Sequence, residues 1–184
     1  DYVASYVDDN GILQYVTDLD VAFNDLMGAE SVVTINLLKD ATLDDSYTYS
    51  PLIINLNGFT ITGDLTATES LTLNNGVIKG TLTVDCSGGP LVANGVAIDG
   101  KLDVISGNAS VSGAAVGVTG ELVIATGSEV TISCTEKAVS LDAAANVALY
   151  ALDGTKAVFA GDTYTVNGEV AKELTTVVPS GGET

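Results

Sequence analysis

The chain of 184 residues contains no histidine, no arginine and no tryptophan. Without histidine, no Ser-His or Cys-His nucleophilic pair can be assembled; a Ser-Lys pair is the arrangement that composition alone leaves open. Without arginine there is no planar fork to grip phosphate or carboxylate. All six basic residues are lysines, set against 24 acids, for a formal net charge of −18. A surface this negative repels nucleic-acid phosphates and anionic membranes, so neither is expected as a partner. Long hydrophobic runs are missing too. The apolar content of 46% comes in short bursts, none near the ~20 residues of a membrane helix, so no membrane insertion is expected. The chain begins at Asp1 without Met and shows no leader-like stretch, as expected of a secreted or cell-surface protein whose signal peptide has been removed.

What the chain does have is glycine, 20 of them, and a repeat built around it. Asn57-Gly58-Phe59-Thr60-Ile61-Thr62-Gly63, Asn75-Gly76-Val77-Ile78-Lys79-Gly80 and Asn94-Gly95-Val96-Ala97-Ile98-Asp99-Gly100 are versions of one phrase. A degenerate copy ends at Gly120. After each closing glycine a second phrase returns: Asp64-Leu65-Thr66-Ala67, Thr81-Leu82-Thr83-Val84, Lys101-Leu102-Asp103-Val104 and Glu121-Leu122-Val123-Ile124. A period near 20 residues is the signature of a solenoid.

Within each period, apolar residues alternate with polar ones as a half-buried strand requires. Leu65, Leu82, Leu102 and Leu122 form one inward column; Leu71, Leu91, Val111 and Val130 a second; Ile61, Ile78, Ile98 and Val118 a third. Residues one period apart match, so like strands stack in parallel. The expected fold is all-β: a single-stranded parallel β-helix with three strands per ~20-residue coil, right-handed by the general crossover rule. Asn57, Asn75 and Asn94 are expected at one corner, where the chain needs positive φ and stacked amides would form a ladder. Gly63, Gly80, Gly100 and Gly120 are expected to close the adjacent corner. In this alignment Cys86 and Cys134 fall on different faces and two layers apart, beyond the ~4.4–6.8 Å Cα separation of a disulfide, so two free and mostly buried thiols are expected.

Outside the repeats, residues 1–16 read as a strand or extended arm. Residues 17–30 read as a short helix, with Leu19, Ala22, Phe23 and Leu26 at helical spacing and Gly28 closing it. Such a helix would cover the exposed end of the first coil. The coils are expected over 31–142, a terminal coil or hairpin over 143–178, and a tail over 179–184.

The phrase Ile54-Asn55-Leu56-Asn57-Gly58-Phe59-Thr60-Ile61-Thr62-Gly63, with the helix and Leu37-Leu38-Lys39-Asp40-Ala41-Thr42-Leu43 before it, resembles the opening coil of pectin-lyase-like β-helix modules in surface proteins of Gram-positive bacteria. The resemblance covers residues 17–142. It implies a stalk, an adhesin or a glycan-contacting unit. Enzymes of this fold abstract a proton with a basic residue, typically arginine, beside calcium, or pair aspartates with histidine. This chain has neither arginine nor histidine, and Asp85, Asp99 and Asp103 are expected as scattered acids on a solvated face. No catalytic activity and no cofactor are therefore expected. Asp8-Asp9-Asn10-Gly11 and Asp18/Asp20 are candidates for no more than weak calcium binding. Tyr2, Tyr6, Tyr15, Tyr47 and Tyr49 cluster toward the N-terminus and are the candidate contact surface. The expected function is a secreted or surface-displayed structural block. It would assemble head-to-tail with copies of itself through its ends or terminal arms, or contact neighbouring surface proteins. The alternative is an adhesin module that binds glycans or a host surface.

Overall fold

The computed structural model describes residues 1–86 and 89–113, with side chains through Val111, and beyond them the backbone of eight further strands. The first 16 residues are a hairpin of β1 (Ala4–Val7) and β2 (Leu13–Val16), paired antiparallel. Asp8 builds its turn: one carboxylate oxygen accepts from the Asn10 and Ile12 backbone N–H groups, both at 2.9 Å, and the other from Gln14 Nε2 at 2.7 Å. Those bonds hold the Asp8 carboxyl below its usual pKa, the Ile12 N–H contributing most.

This is where the structure departs from an arm. β1 also pairs antiparallel with β3 (Val33–Leu37), the first strand of the first coil, Ala4 opposite Leu37 and Tyr6 opposite Ile35. An open strand edge leaves a row of N–H and C=O groups without partners, and β1 supplies them. With β2 on one side and β3 on the other, β1 is not available to a neighbouring molecule. The helix is shorter than 17–30, covering Leu19–Asp25 as α1, with Asp18 capping it by accepting from the Asp20 N–H. Leu19, Ala22 and Phe23 are buried. The hairpin therefore closes the strand edge while the helix closes the apolar end.

The coils follow from β4 (Ala41–Thr42), β5 (Ser46–Thr48), β6 (Leu52–Asn55), β7 (Thr60–Thr62) and β8 (Leu65–Ala67). In the next two coils the short strands run together into β9 (Leu71–Asp85) and β10 (Leu91–Ser106), each passing across all three faces. The first face stacks β3, β6 and the openings of β9 and β10, then β11 (Asn108–Gly113). The second stacks β4, β7 and the middle of β9; the third stacks β5, β8 and the end of β9. All these pairings are parallel, with partners about 19 residues apart, giving a β-solenoid of about four turns.

Leu65, Leu82 and Leu102 stack as one fully buried column, and Ile61, Ile78 and Ile98 as another. Each such side chain contributes roughly 1.5–3 kcal/mol on burial. One inward column differs from its expected membership. Leu91 pairs with Ala109 and not Val111, which stands opposite Ala93. The register slips between Val104 and Ser106, where the chain bulges before the positive-φ Gly107, and the fourth coil is shortened there.

The closing glycines do stack. A Cβ on Gly80 would lie within 3.0 Å of the Gly63 carbonyl, and one on Gly100 within 3.0 Å of the Gly80 carbonyl. With φ of 141° and 152° at Gly80 and Gly100, no other residue fits that corner without displacing the coil below. Gly120 and Val118 lie outside the described residues.

Beyond, β12 (Glu121–Ile124), β13 (Glu129–Cys134), β14 (Leu141–Asp142) and β15 (Asn146–Tyr150) extend the parallel stacks. β16 (Lys156–Ala160), β17 (Thr163–Val166) and β18 (Glu169–Val170) then form an antiparallel meander from β15. β19 (Pro179–Ser180) runs parallel to β14; the remaining tail residues, 181–184, lie outside the described residues.

Candidate binding faces

The first face carries an amide ladder, but not the one formed by Asn57, Asn75 and Asn94. Asn55 Nδ2 donates to Asn36 Oδ1 at 2.9 Å, Asn74 Nδ2 to Asn55 Oδ1 at 3.0 Å and Asn94 Nδ2 to Asn74 Oδ1 at 3.1 Å. Asn57 and Asn75 belong to the neighbouring corner. Both have φ of 53°, the next coil has Gly95 at 64°, and Asn57 Nδ2 donates to the Leu37 carbonyl at 2.9 Å. The expected positive-φ corner is present; the ladder stands beside it, one step back along the strand. Its signal was in the sequence, since Asn36, Asn55, Asn74 and Asn94 each follow an inward apolar residue at 19- and 20-residue spacing. The Asn-Gly pairs drew the alignment away from it.

Strand register continues this column past the ladder. Asn36 stands opposite Ser5, and Ser5 opposite Tyr15. Beside it, partly exposed, run Thr34, Ile53, Thr72 and Val92, one per coil. Val7 and Leu13 face each other across the hairpin, both about half exposed. None of these residues is charged. The other faces differ: Lys79 and Asp99 stand opposite each other on the second, while the third carries Thr66, Thr83 and Asp103 in one column, with Lys101 Nζ 3.4 Å from Asp103 Oδ2.

The five tyrosines divide three ways. Tyr6 is corrected out of the contact surface: it is 2% exposed, and its hydroxyl donates to Asp25 Oδ2 at 2.8 Å, tying the hairpin to α1. Burial, then the Asp25 carboxylate, pushes its pKa up to about 12. Tyr2 and Tyr15 form an exposed tilted pair, with ring centroids 5.1 Å apart, at the hairpin end of the amide column. Tyr47 and Tyr49, alternate residues along one outward-facing run, stack at 5.9 Å and 15°. They border a groove of about 350 Å³ lined also by Asp20, Phe23, Asn24, Asp44 and Asp45.

Three of the four acids considered as calcium ligands have protein partners. Asp8 is occupied by the hairpin turn, Asp18 caps α1, and Asp20 accepts from the Ser46 hydroxyl. Among the described residues no group of three or more acids or thiols is placed to hold a metal ion. Asp85 accepts from the Ser106 hydroxyl at 2.8 Å. Cys86 is a free, buried thiol whose pKa is raised, chiefly by burial. The Cys134 side chain lies outside the described residues. No described helix is long and apolar enough to cross a membrane. No protein-family model, curated protein or solved structure matches the chain.

Proposed function

We propose that this chain is a non-catalytic structural block of the cell exterior, secreted or surface-displayed, of the pectin-lyase-like kind that its repeats resemble. The observation that carries this reading is the sealed, continuous stack. α1 and the hairpin close the first coil, and the glycine corner and amide ladder bind each coil to the next. A rod built this way holds its faces rigid at low cost per added coil. Head-to-tail assembly with further copies is part of the proposal. At the N-terminal end it runs through the outer edge of β2, because β1 occupies the edge of β3. Electron microscopy with and without millimolar calcium tests the assembly. Filaments that Tyr15→Lys abolishes by charging that edge are the expected result. Uniform short particles under every condition overturn assembly.

A second reading, an adhesin module in contact with glycans, is favoured by a separate observation. Two tyrosine pairs, Tyr2 with Tyr15 and Tyr47 with Tyr49, stand on the surface with each ring about half exposed. Aromatic rings with a polar tip suit sugars, which present one C–H face and a rim of hydroxyls. Loss of glycan retention on removing either pair is the expected outcome. A glycan array that stays blank with the intact protein contradicts this reading.

A further inference from the structure

We infer that the first face is a binding surface for a neutral, extended polysaccharide, laid along the stack from the Tyr2–Tyr15 pair over the asparagine ladder. The inference rests on the glycan reading above and assigns its site and ligand class.

Charge is the first argument. β1, β2, β3, β6, and the openings of β9 and β10 read ASYV, LQYV, VTINL, LIIN, LTLN and LVAN, without one charged residue. The chain around them carries 24 acids and six lysines. A polyanion is repelled by the molecule as a whole. A polycation finds no carboxylate in these strands and is drawn to the acidic faces instead. A second copy laid flat along this face would bring another −18 of charge beside this one over its whole length, whereas end-to-end contact at the β2 edge brings the two together only at their ends. A neutral polymer is the macromolecule for which approach to this face costs no electrostatic work.

Hydrogen-bonding capacity is the second. A carboxamide has two N–H donors and two oxygen lone pairs. The ladder engages one donor and one lone pair at Asn55 and at Asn74. The remainder recur at the strand spacing of about 4.8 Å, beside the partly exposed Thr34 and Thr72 hydroxyls. Six strands set Tyr15, Ser5, Asn36, Asn55, Asn74 and Asn94 in one line, roughly 24 Å long at that spacing. Ser5 is buried, so the row open to a ligand is the asparagines with Tyr15 at its head. Polar groups repeated in a straight row match a polymer that repeats its own hydroxyls in a straight row. The tyrosine pair at the head of the row supplies the apolar platform for a sugar ring. The Tyr47–Tyr49 stack heads no such row, and three acids, Asp20, Asp44 and Asp45, line its groove. At the first face, Asp8 and Asp9 border the groove beside Thr34 and Asn36 at its hairpin end, and Asp8 is bonded within the turn.

Affinity electrophoresis of the intact protein tests the inference through one backbone in two charge states, hydroxyethylcellulose and carboxymethylcellulose, with xyloglucan, galactomannan and dextran as further neutral polymers. Retardation by at least one neutral polymer and none by carboxymethylcellulose is expected. Tyr15→Ala and Tyr2→Ala, both at exposed positions, should each weaken it about tenfold, the loss typical of truncating an aromatic anchor, with circular dichroism unchanged. Equal retardation by the anionic polymer overturns the inference and leaves the glycan reading standing. So does retention that survives both changes but is lost in Tyr47→Ala. No retardation by any polymer overturns both. A dimer in light scattering that Thr72→Lys dissociates also overturns the inference, by showing that a second copy covers this face and not the β2 edge alone.

Discussion

The first and third faces of the solenoid share one interior and differ outside. Both bury fully enclosed aliphatic columns, Leu73 and Ile54 behind the one, Leu65 and Leu82 behind the other. Yet the first presents asparagine, threonine and aliphatic residues, and the third threonine, lysine and aspartate. Since the packing behind the two is alike, the fold does not require the difference. No acid stands in β1, β2, β3, β6 or the openings of β9 and β10, and the asparagines there bond to each other from coil to coil, whereas Glu129 enters the same stack with β13. Among the described residues, the direct ion pair on the third face is Lys101 with Asp103, whose side chains are 33% and 24% exposed, and surface pairs of this kind are worth about 0–1 kcal/mol.

The comparison can be broken most severely where the faces share support. Leu82→Ala empties a fully buried site and should cost about 2–5 kcal/mol in denaturant unfolding, loosening both faces together. Gly100→Ala forces a Cβ onto the Gly80 carbonyl; a loss on the order of 1–3 kcal/mol is expected, again common to both. Asn74→Leu separates the faces. It removes the ladder bonds that Asn55 and Asn94 make with Asn74 and should cost about 1–2 kcal/mol, whereas Thr83→Val on the third face should stay within about 0.5 kcal/mol.

Tyr6→Phe, at the seal, removes the bond to Asp25 and should cost about 1 kcal/mol near neutral pH. Its pH dependence has a definite sign. The folded state holds the Tyr6 proton up to about pH 12, above the ordinary 10.0. The stabilisation is therefore whole below pH 10 and lost as pH rises toward 12. Tyr6→Phe should flatten that alkaline decline in thermal melts. Asp8 works oppositely: its lowered pKa means the hairpin loses support as pH falls through the carboxylate range, and Asp8→Asn should blunt that acid loss. Smallest of all, Lys101→Met on the third face should change stability by no more than about 0.5 kcal/mol.

The solenoid was legible because its inward columns obey two periods at once, alternation along each strand and recurrence near 20 residues. Leu65, Leu82 and Leu102 could hardly be read otherwise. The ladder was misassigned because Asn57, Asn75 and Asn94 share an Asn-Gly signature without sharing a register. A corner demanding positive φ takes asparagine or glycine alike, so Gly95 stands where Asn75 stands one coil earlier. The hairpin was hidden for another reason. Asn10-Gly11 between two apolar runs is itself a hairpin signal, masked by its likeness to part of a calcium loop, whereas the pairing of Ala4 with Leu37 joins segments far apart in sequence and has no local signal. Tyr6 looked like its exposed neighbours because tyrosine suits both a wet surface and a buried bond to a carboxylate. The charge-free face emerged only once register aligned six strands whose composition, taken singly, is unremarkable.

Thr72 and Thr83 offer the most direct test of what that face does. They are the same residue type on the same strand, β9, both partly exposed, one on the first face and one on the third. Titration calorimetry of Thr72→Lys and Thr83→Lys against the neutral polymer retained by the unmodified protein compares the faces at equal chemical change. Thr72→Lys is expected to weaken binding about tenfold or more and Thr83→Lys to leave it unchanged. Equal affinities for the two variants, or a loss confined to position 83, would contradict it.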